Sequence, residues 1–170
     1  MMLSCNCEQC AGRGRENLLH LACEYNSPEY IIKKLMTMFP KYVFEFDNKH
    51  RLPLHVAIEN DGKYRIVKSL LRKNEEAASV LDENGRSPLL IYFYSRSLRD
   101  VKLINEEESI QVFILQKMCQ DIKIINLICS ISFFSILNTD NDGKGVLEYA
   151  IYGGTPQRVV SILKKMEIFC

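Results

Sequence analysis

The chain of 170 residues predicts an all-α solenoid of stacked helix-turn-helix repeats joined by hairpin-like loops. Three observations point there. First, one corner recurs as Asn17-Leu18-Leu19-His20-Leu21-Ala22, Leu52-Pro53-Leu54-His55-Val56-Ala57, Arg86-Ser87-Pro88-Leu89 and Gly145-Val146-Leu147-Glu148-Tyr149-Ala150. Its shared leucine falls at 19, 54, 89 and 147, at intervals of 35, 35 and 58 residues. Second, an apolar stripe follows at a fixed offset: Ile31, Ile32, Leu35 and Met36 return as Ile66, Val67, Leu70 and Leu71, and again as Val159, Val160 and Leu163. That i, i+1, i+4, i+5 spacing lays one stripe along a helix. Third, Asp47-Asn48-Lys49-His50, Asp82-Glu83-Asn84-Gly85 and Asp140-Asn141-Asp142-Gly143 precede three of the corners. An Asp at the start and a Gly at the end suit a hairpin tip that needs a left-handed residue.

Each unit thus reads as turn, short inner helix, tight connection, outer helix and loop. Pro53 and Pro88 stand where an inner helix begins, a position at which the missing N–H costs nothing. Ser27-Pro28-Glu29 and Thr155-Pro156-Gln157 stand ahead of the first and fourth outer helices, where a hydroxyl caps an orphan N–H. Counted back from Asp140, the third outer stripe falls on Ile124, Ile125, Ile128 and Cys129, leaving an insertion at about 97–120. It contains Glu106-Glu107-Glu108, then Ile110, Val112, Phe113, Leu115 and Met118. An acidic start suits a helix amino terminus; such a helix either covers the third unit or projects as a docking element. The organisation is a cysteine-containing segment 1–12, then a repeat domain 13–170 with units at about 13–46, 47–81, 82–139 and 140–170. Neither helix of a unit buries its stripe alone, so the units must stack.

These residues resemble the ankyrin repeat. Leu52-Pro53-Leu54-His55-Val56-Ala57 is close to that family's T-P-L-H-x-A, and Asn84-Gly85-Arg86-Ser87-Pro88-Leu89 is similar to its G-x-T-P-L turn. His50 stands in place of the turn Gly, Leu90 and Glu148 in place of the motif His, and the Gly-His-Leu-Glu connector is missing. These departures imply irregular packing between units three and four. The resemblance implies a non-catalytic protein-interaction module, an adaptor or assembly subunit, that binds through hairpin tips and an inner-helix face. Carried over position by position, the tip residues are Asn48, Lys49, Arg51, Glu83, Arg86, Asp142 and Lys144. The inner-helix residues are Glu24, Tyr25, Glu59, Asn60, Tyr94 and Tyr152. Tyr25, Tyr94 and Tyr152 fall on one face as contact residues, or Tyr94 and Tyr152 pack against neighbouring repeats. The resemblance also implies that His20 and His55 bond to backbone and order the turn, with Pro53, Pro88, Gly85 and Gly143 as further structural positions. His50 is expected to be exposed.

Little else in the chain carries chemistry. Cys5-x-Cys7-x-x-Cys10 places three thiols within reach of one zinc ion, with His20 or Cys23 as a fourth ligand, yet no second pair completes a finger. A thiolate zinc or redox module on a repeat scaffold is therefore the alternative reading. Asn138-x-Asp140-x-Asp142-Gly143 imitates the start of a calcium loop, but Tyr149 stands where its last carboxylate belongs. Gly12-Arg13-Gly14-Arg15 is too short for a phosphate loop. No nucleophile stands with a base, so no enzyme and no cofactor are expected.

Composition sets the remaining expectations. The chain is 47% hydrophobic and 25% charged, which excludes collagen-like and low-complexity classes. With 22 Lys+Arg against 21 Asp+Glu, balanced charge argues against nucleic-acid or membrane association. The longest apolar run, 124–137, is broken by Asn126, Ser130, Ser132 and Ser135; it predicts a buried helix and a loop rather than a membrane span. Seven cysteines, four of them solitary, and no basic-then-apolar leader suit a reducing intracellular compartment, cytoplasmic or nuclear. The expected partner is another protein, not a small molecule. Leu163, Met166, Ile168 and Phe169 are expected to leave an apolar carboxyl-terminal end that docks onto another chain.

Overall fold

The computed structural model describes residues 16–97, 109–153 and 155–168. Among them are eight α-helices: α1 (Leu18–Glu24), α2 (Glu29–Met38), α3 (Pro53–Glu59), α4 (Tyr64–Lys73), α5 (Pro88–Ser97), α6 (Ser109–Ile131), α7 (Val146–Tyr152) and α8 (Gln157–Ile168). No strand is formed among the described residues. The odd-numbered helices are the inner layer and the even-numbered ones the outer, each inner helix packing on the next. The motif leucine is the second residue of every inner helix. Leu19, Leu54 and Leu89 are fully buried; in α7 Leu147 is half-buried and Val146 takes the core position. The outer stripes close the other side, including Ile124, Ile125, Ile128 and Cys129 at the place inferred from the sequence.

The inner helices stop by a shared device. The N–H groups of Ser27, Gly62 and Thr155 donate to the carbonyls of Ala22, Ala57 and Ala150 at 2.9, 2.7 and 3.0 Å. Asn26 and Asp61 take the left-handed conformation that such a stop requires, with φ of 48° and 56°. The third unit lacks it: Tyr92 stands in the alanine column and Arg96 in the column of Asn26 and Asp61, so α5 runs on to Ser97. The extra residues enter here.

The part of the insertion that is described does not form a separate helix. It belongs to α6, a continuous helix of 23 residues, about 34 Å long, that ends in the buried third stripe. Glu106 to Glu108, and the side chains of Ile110, Val112, Phe113, Leu115 and Met118, lie outside the described residues. An ionic clamp ties α6 to the solenoid. The Arg96 guanidinium bonds Asp121 of α6 at 2.9 Å and Asp61 of the second unit at 3.0 Å, and lies 3.6 Å over the Tyr92 ring.

Units three and four depart from the shared motif and still pack closely, α5 on α7. Leu90 is wholly buried where the family has His, so volume replaces a hydrogen bond. Glu148 turns outward and accepts from the Gly145 N–H at 2.8 Å, capping α7. Gly153 comes so near α5 that a Cβ there would stand 3.0 Å from the Ser97 Cα. The serines that break the apolar run are used as well: Ser132 accepts from Ser79 at 2.8 Å, and Ser135 donates to the Ala78 carbonyl at 3.1 Å. Leu163 is fully buried in the stripe of α8, which corrects its placement on an apolar end. Ile162 is the exposed residue there, while the side chains of Met166 and Ile168, and Phe169, lie outside the described residues.

Candidate protein-interaction surface

The hairpin tips are built alike from the first residue. In each, one oxygen of the leading aspartate accepts two backbone N–H groups: from Lys49 and Arg51 for Asp47, Asn84 and Arg86 for Asp82, Asp142 and Lys144 for Asp140, all at 2.8–3.0 Å. The aspartate N–H then bonds the carbonyl of the fifth residue, Arg51, Arg86 or Lys144. The second carboxylate oxygen is held by a side chain. Arg51 and Arg86 grip Asp47 and Asp82 through two guanidinium nitrogens at 2.7–2.9 Å. In the fourth tip the Tyr149 hydroxyl takes that place, donating to Asp140 at 2.6 Å. Burial pushes the Asp47 carboxyl up, but the Arg51 N–H, its guanidinium and the Lys49 N–H outweigh it and hold the group below the ordinary range.

Successive tips are also joined. The Glu83 N–H donates to the Lys49 carbonyl at 3.0 Å, and the Asn141 N–H to the Asn84 carbonyl at 2.9 Å. Gly85 and Gly143 hold the left-handed position with φ of 75° and 77°, and His50 holds it in the second unit at 55°. A non-glycine residue pays for that conformation. The His50 ring compensates by stacking on Phe46, centroids 4.2 Å apart, and by donating from Nδ1 to the Leu81 carbonyl at 3.1 Å.

The two motif histidines lock the corners from within. Nδ1 of His55 accepts from the Leu52 N–H at 3.1 Å and Nε2 donates to the Val80 carbonyl at 3.0 Å. His20 repeats the arrangement with the Asn17 N–H and the Arg51 carbonyl. Burial lowers the pKa of both rings, to about 4 for His55. His20 therefore has no ring nitrogen to offer as a fourth zinc ligand. Cys23 is also buried, and burial pushes its thiol up to about 12; a metal-binding thiolate needs the opposite. Cys5, Cys7 and Cys10 lie outside the described residues, and no cluster of metal-ligating side chains occurs among the described ones.

The residues assigned to partner binding divide into two groups. Glu24, Tyr25, Asn48, Lys49, Glu83, Asp142, Lys144 and Tyr152 are exposed, with Tyr25 at 68% and Tyr152 at 75%. Arg51, Glu59, Asn60, Arg86 and Tyr94 are half-buried. Arg51 pairs with both Asp47 and Glu59, and Asn60 donates to the Val56 carbonyl. Arg86 pairs with Asp82 and lies 4.5 Å over the Tyr94 ring, which meets Tyr149 edge-on at 5.3 Å. Tyr94 thus packs against the next repeat, the structural one of its two readings. Tyr149, the lock of the fourth tip, enters the sequence analysis only as the residue that denies the imitation calcium loop its last carboxylate; an aromatic one turn into α7 beside a tip lacking Arg is the signal for its role.

The described part of the chain is a stack of turn, inner helix and outer helix with the same corner four times over. A family model described as ankyrin repeats (3 copies) matches residues 1–81, beginning ahead of the first corner. Residues 1–81 thus carry ankyrin repeats, which are generally protein–protein interaction modules and typically non-catalytic. No curated protein matches it. Among the described residues no helix is long and apolar enough to cross a membrane.

Proposed function

We propose that this chain is a non-catalytic adaptor or assembly subunit whose hairpin tips and inner-helix ends bind a protein partner in an intracellular compartment, cytoplasmic or nuclear. The observation that carries the reading is a division of labour at the rim. The groups that shape each tip are bonded inward, so the tip is rigid before a partner arrives, while Asn48, Lys49, Glu83, Asp142 and Lys144 project from it. Preorganised loops lose little entropy on binding. Tyr25 and Tyr152 add large amphipathic side chains along the inner-helix ends. Unit boundaries at 47, 82 and 140 follow the aspartates that open the tips. Exposed Ile151, Tyr152 and Ile162 on the last unit support docking of a second chain there as well.

Crosslinking capture from the native source tests the reading. The parent chain is compared with a rim variant, Tyr25→Ala/Lys49→Glu/Glu83→Lys/Tyr152→Ala. A protein held by the parent and lost by the rim variant, with the melting transition unchanged, supports the reading. Capture that is indifferent to these four side chains removes it.

A further inference from the structure

The balanced net charge conceals a separation. Helix α4 carries Arg65, Lys68, Arg72 and Lys73, with Lys63 at its cap, and no acidic residue. Arg65, Lys68 and Arg72, at i, i+3 and i+7, form one outward stripe about 10 Å long. Lys33 and Lys34 extend it on α2, Lys123 on α6, and Lys164 and Lys165 on α8. α2 packs on α4 and α4 on α6, and adjacent packed helices stand about 8–10 Å apart, so the stripes of these three helices adjoin. Among the described side chains of these helices the acids are Glu29, bonded to Lys33 at 2.6 Å, and Asp121, bonded to Arg96. The hydrogen bond from Lys33 holds the Glu29 carboxyl below its ordinary range against slight desolvation, and Arg65 and Lys63 on the neighbouring unit add to the effect. Of the other exposed acids, Glu24, Glu83, Asp142 and Glu148 lie on tips and inner helices, Glu45 in the loop after α2, and Glu75 and Glu76 in the turn after α4.

We propose that the outer-helix face is a second binding surface, separate from the rim, that docks on an anionic lipid bilayer. Cations alone fit any polyanion; what stands among them decides. Tyr30 and Met38 of α2, Ile131 of α6 and Ile162 of α8 are exposed on the same helices, and Met38, Lys73 and Ile131 occupy equivalent positions in successive units. A nucleic-acid backbone offers these apolar side chains nothing, whereas a headgroup interface takes cations and apolar tips together. The cations also lie in a row across neighbouring helices rather than on an element shaped to enter a groove. The apolar faces of the helices stay in the solenoid core, so the chain rests on the surface without inserting a helix.

Sedimentation of the whole chain with vesicles of phosphatidylcholine alone, or enriched in phosphatidylserine, tests this. Binding is expected to the anionic vesicles only and to weaken as salt is raised. Each cation removed near an anionic surface weakens binding about fivefold, so Arg65→Gln/Lys68→Gln/Arg72→Gln is expected to lose about a hundredfold. Lys33→Gln/Lys34→Gln gives an independent reading on α2, and circular dichroism confirms that each variant folds. Removing Lys49 and Lys144 from the tips changes net charge as much as the α2 pair but leaves vesicle binding intact. Equal sedimentation with both vesicles, equal loss from the tip variant, or a short DNA duplex bound as tightly and lost with the same substitutions overturns the proposal. None of these outcomes bears on capture of a protein by the rim.

Discussion

Nε2 of His55 donates to the carbonyl of Val80 at 3.0 Å, so the imidazole must stay neutral while Nδ1 accepts from the Leu52 N–H. Burial lowers its pKa from 6.5 to about 4. In the unfolded chain the ring takes a proton as pH falls through 6.5; in the folded chain it does not until about pH 4. The stabilising contribution is therefore complete above pH 6.5 and is lost on the way down to about pH 4, about 3 kcal/mol in all. His20 adds to the same slope, since burial lowers its pKa also. Asp47 and Asp140, held low, lose their contributions only at still lower pH. Urea midpoints between pH 7 and pH 4.5 should fall steadily, and His55→Gln should remove part of that fall. A midpoint flat over this range contradicts the buried neutral ring.

The bidentate pair of Asp82 and Arg86 is more shielded from solvent than the Asp140–Tyr149 bond of the fourth tip. Asp82→Ala leaves two turn N–H groups unpaired and a half-buried guanidinium without its carboxylate. A loss of about 3 kcal/mol is expected. Tyr149→Phe removes one hydroxyl from a more exposed carboxylate and should cost about 1 kcal/mol. Chemical denaturation of both variants checks the order; a costlier Tyr149→Phe would mean that the fourth tip, not the third, anchors the stack.

His50, Gly85 and Gly143 share a left-handed column, and substitution there separates backbone strain from side-chain contacts. Gly85→Ala brings strain of about 1–2 kcal/mol, and its Cβ would also lie 2.6 Å from the Asn141 side-chain oxygen. His50→Gly relieves strain while giving up the Phe46 stack and the Leu81 bond, so the stability should shift by less than about 1 kcal/mol. His50→Ala loses the contacts and keeps the strain, and should be less stable than both the parent and His50→Gly. Thermal melts rank them; His50→Ala equal to the parent would show that the ring contributes nothing.

Much of this architecture is legible in the residues because each unit repeats the same local solution. The leucine column, the stripe and the leading aspartates each demand one geometry, and agreement between them fixes the register across an insertion. What the pattern does not reveal is how a departure is absorbed. Leu90 for His looks like a lost hydrogen bond in sequence, yet it is wholly buried in the core. Arg51 and Arg86 stand at variable tip positions, but their aspartate partners four residues earlier draw them inward. Pairing of this kind depends on side-chain direction, which periodicity does not encode. Charge segregation between layers is likewise invisible to a net charge of +1.

Arg96 holds the long α6 to the solenoid by one guanidinium between two carboxylates, Asp61 and Asp121, with its face on Tyr92. Asp61 belongs to the second unit and Asp121 to the third outer helix, so the clamp spans the place where the regular helix stop is missing. Arg96→Ala leaves two partly buried carboxylates facing each other and uncovers the Tyr92 ring. Breaking a buried pair by removing one partner costs about 3–5 kcal/mol; with both acids partly exposed, about 3 kcal/mol is the reasonable expectation. In a linear array each unit is stabilised by its neighbours, so the loss should be felt unevenly. Amide hydrogen exchange should accelerate across 109–131 and the fourth unit while 18–59 stays protected. Uniform acceleration along the chain would mean that the array unfolds as one cooperative body and that Arg96 acts as an ordinary core contact. The double variant Arg96→Ala/Asp121→Ala discriminates further: if like-charge repulsion contributes to the loss, removing Asp121 should restore part of the protection in α6.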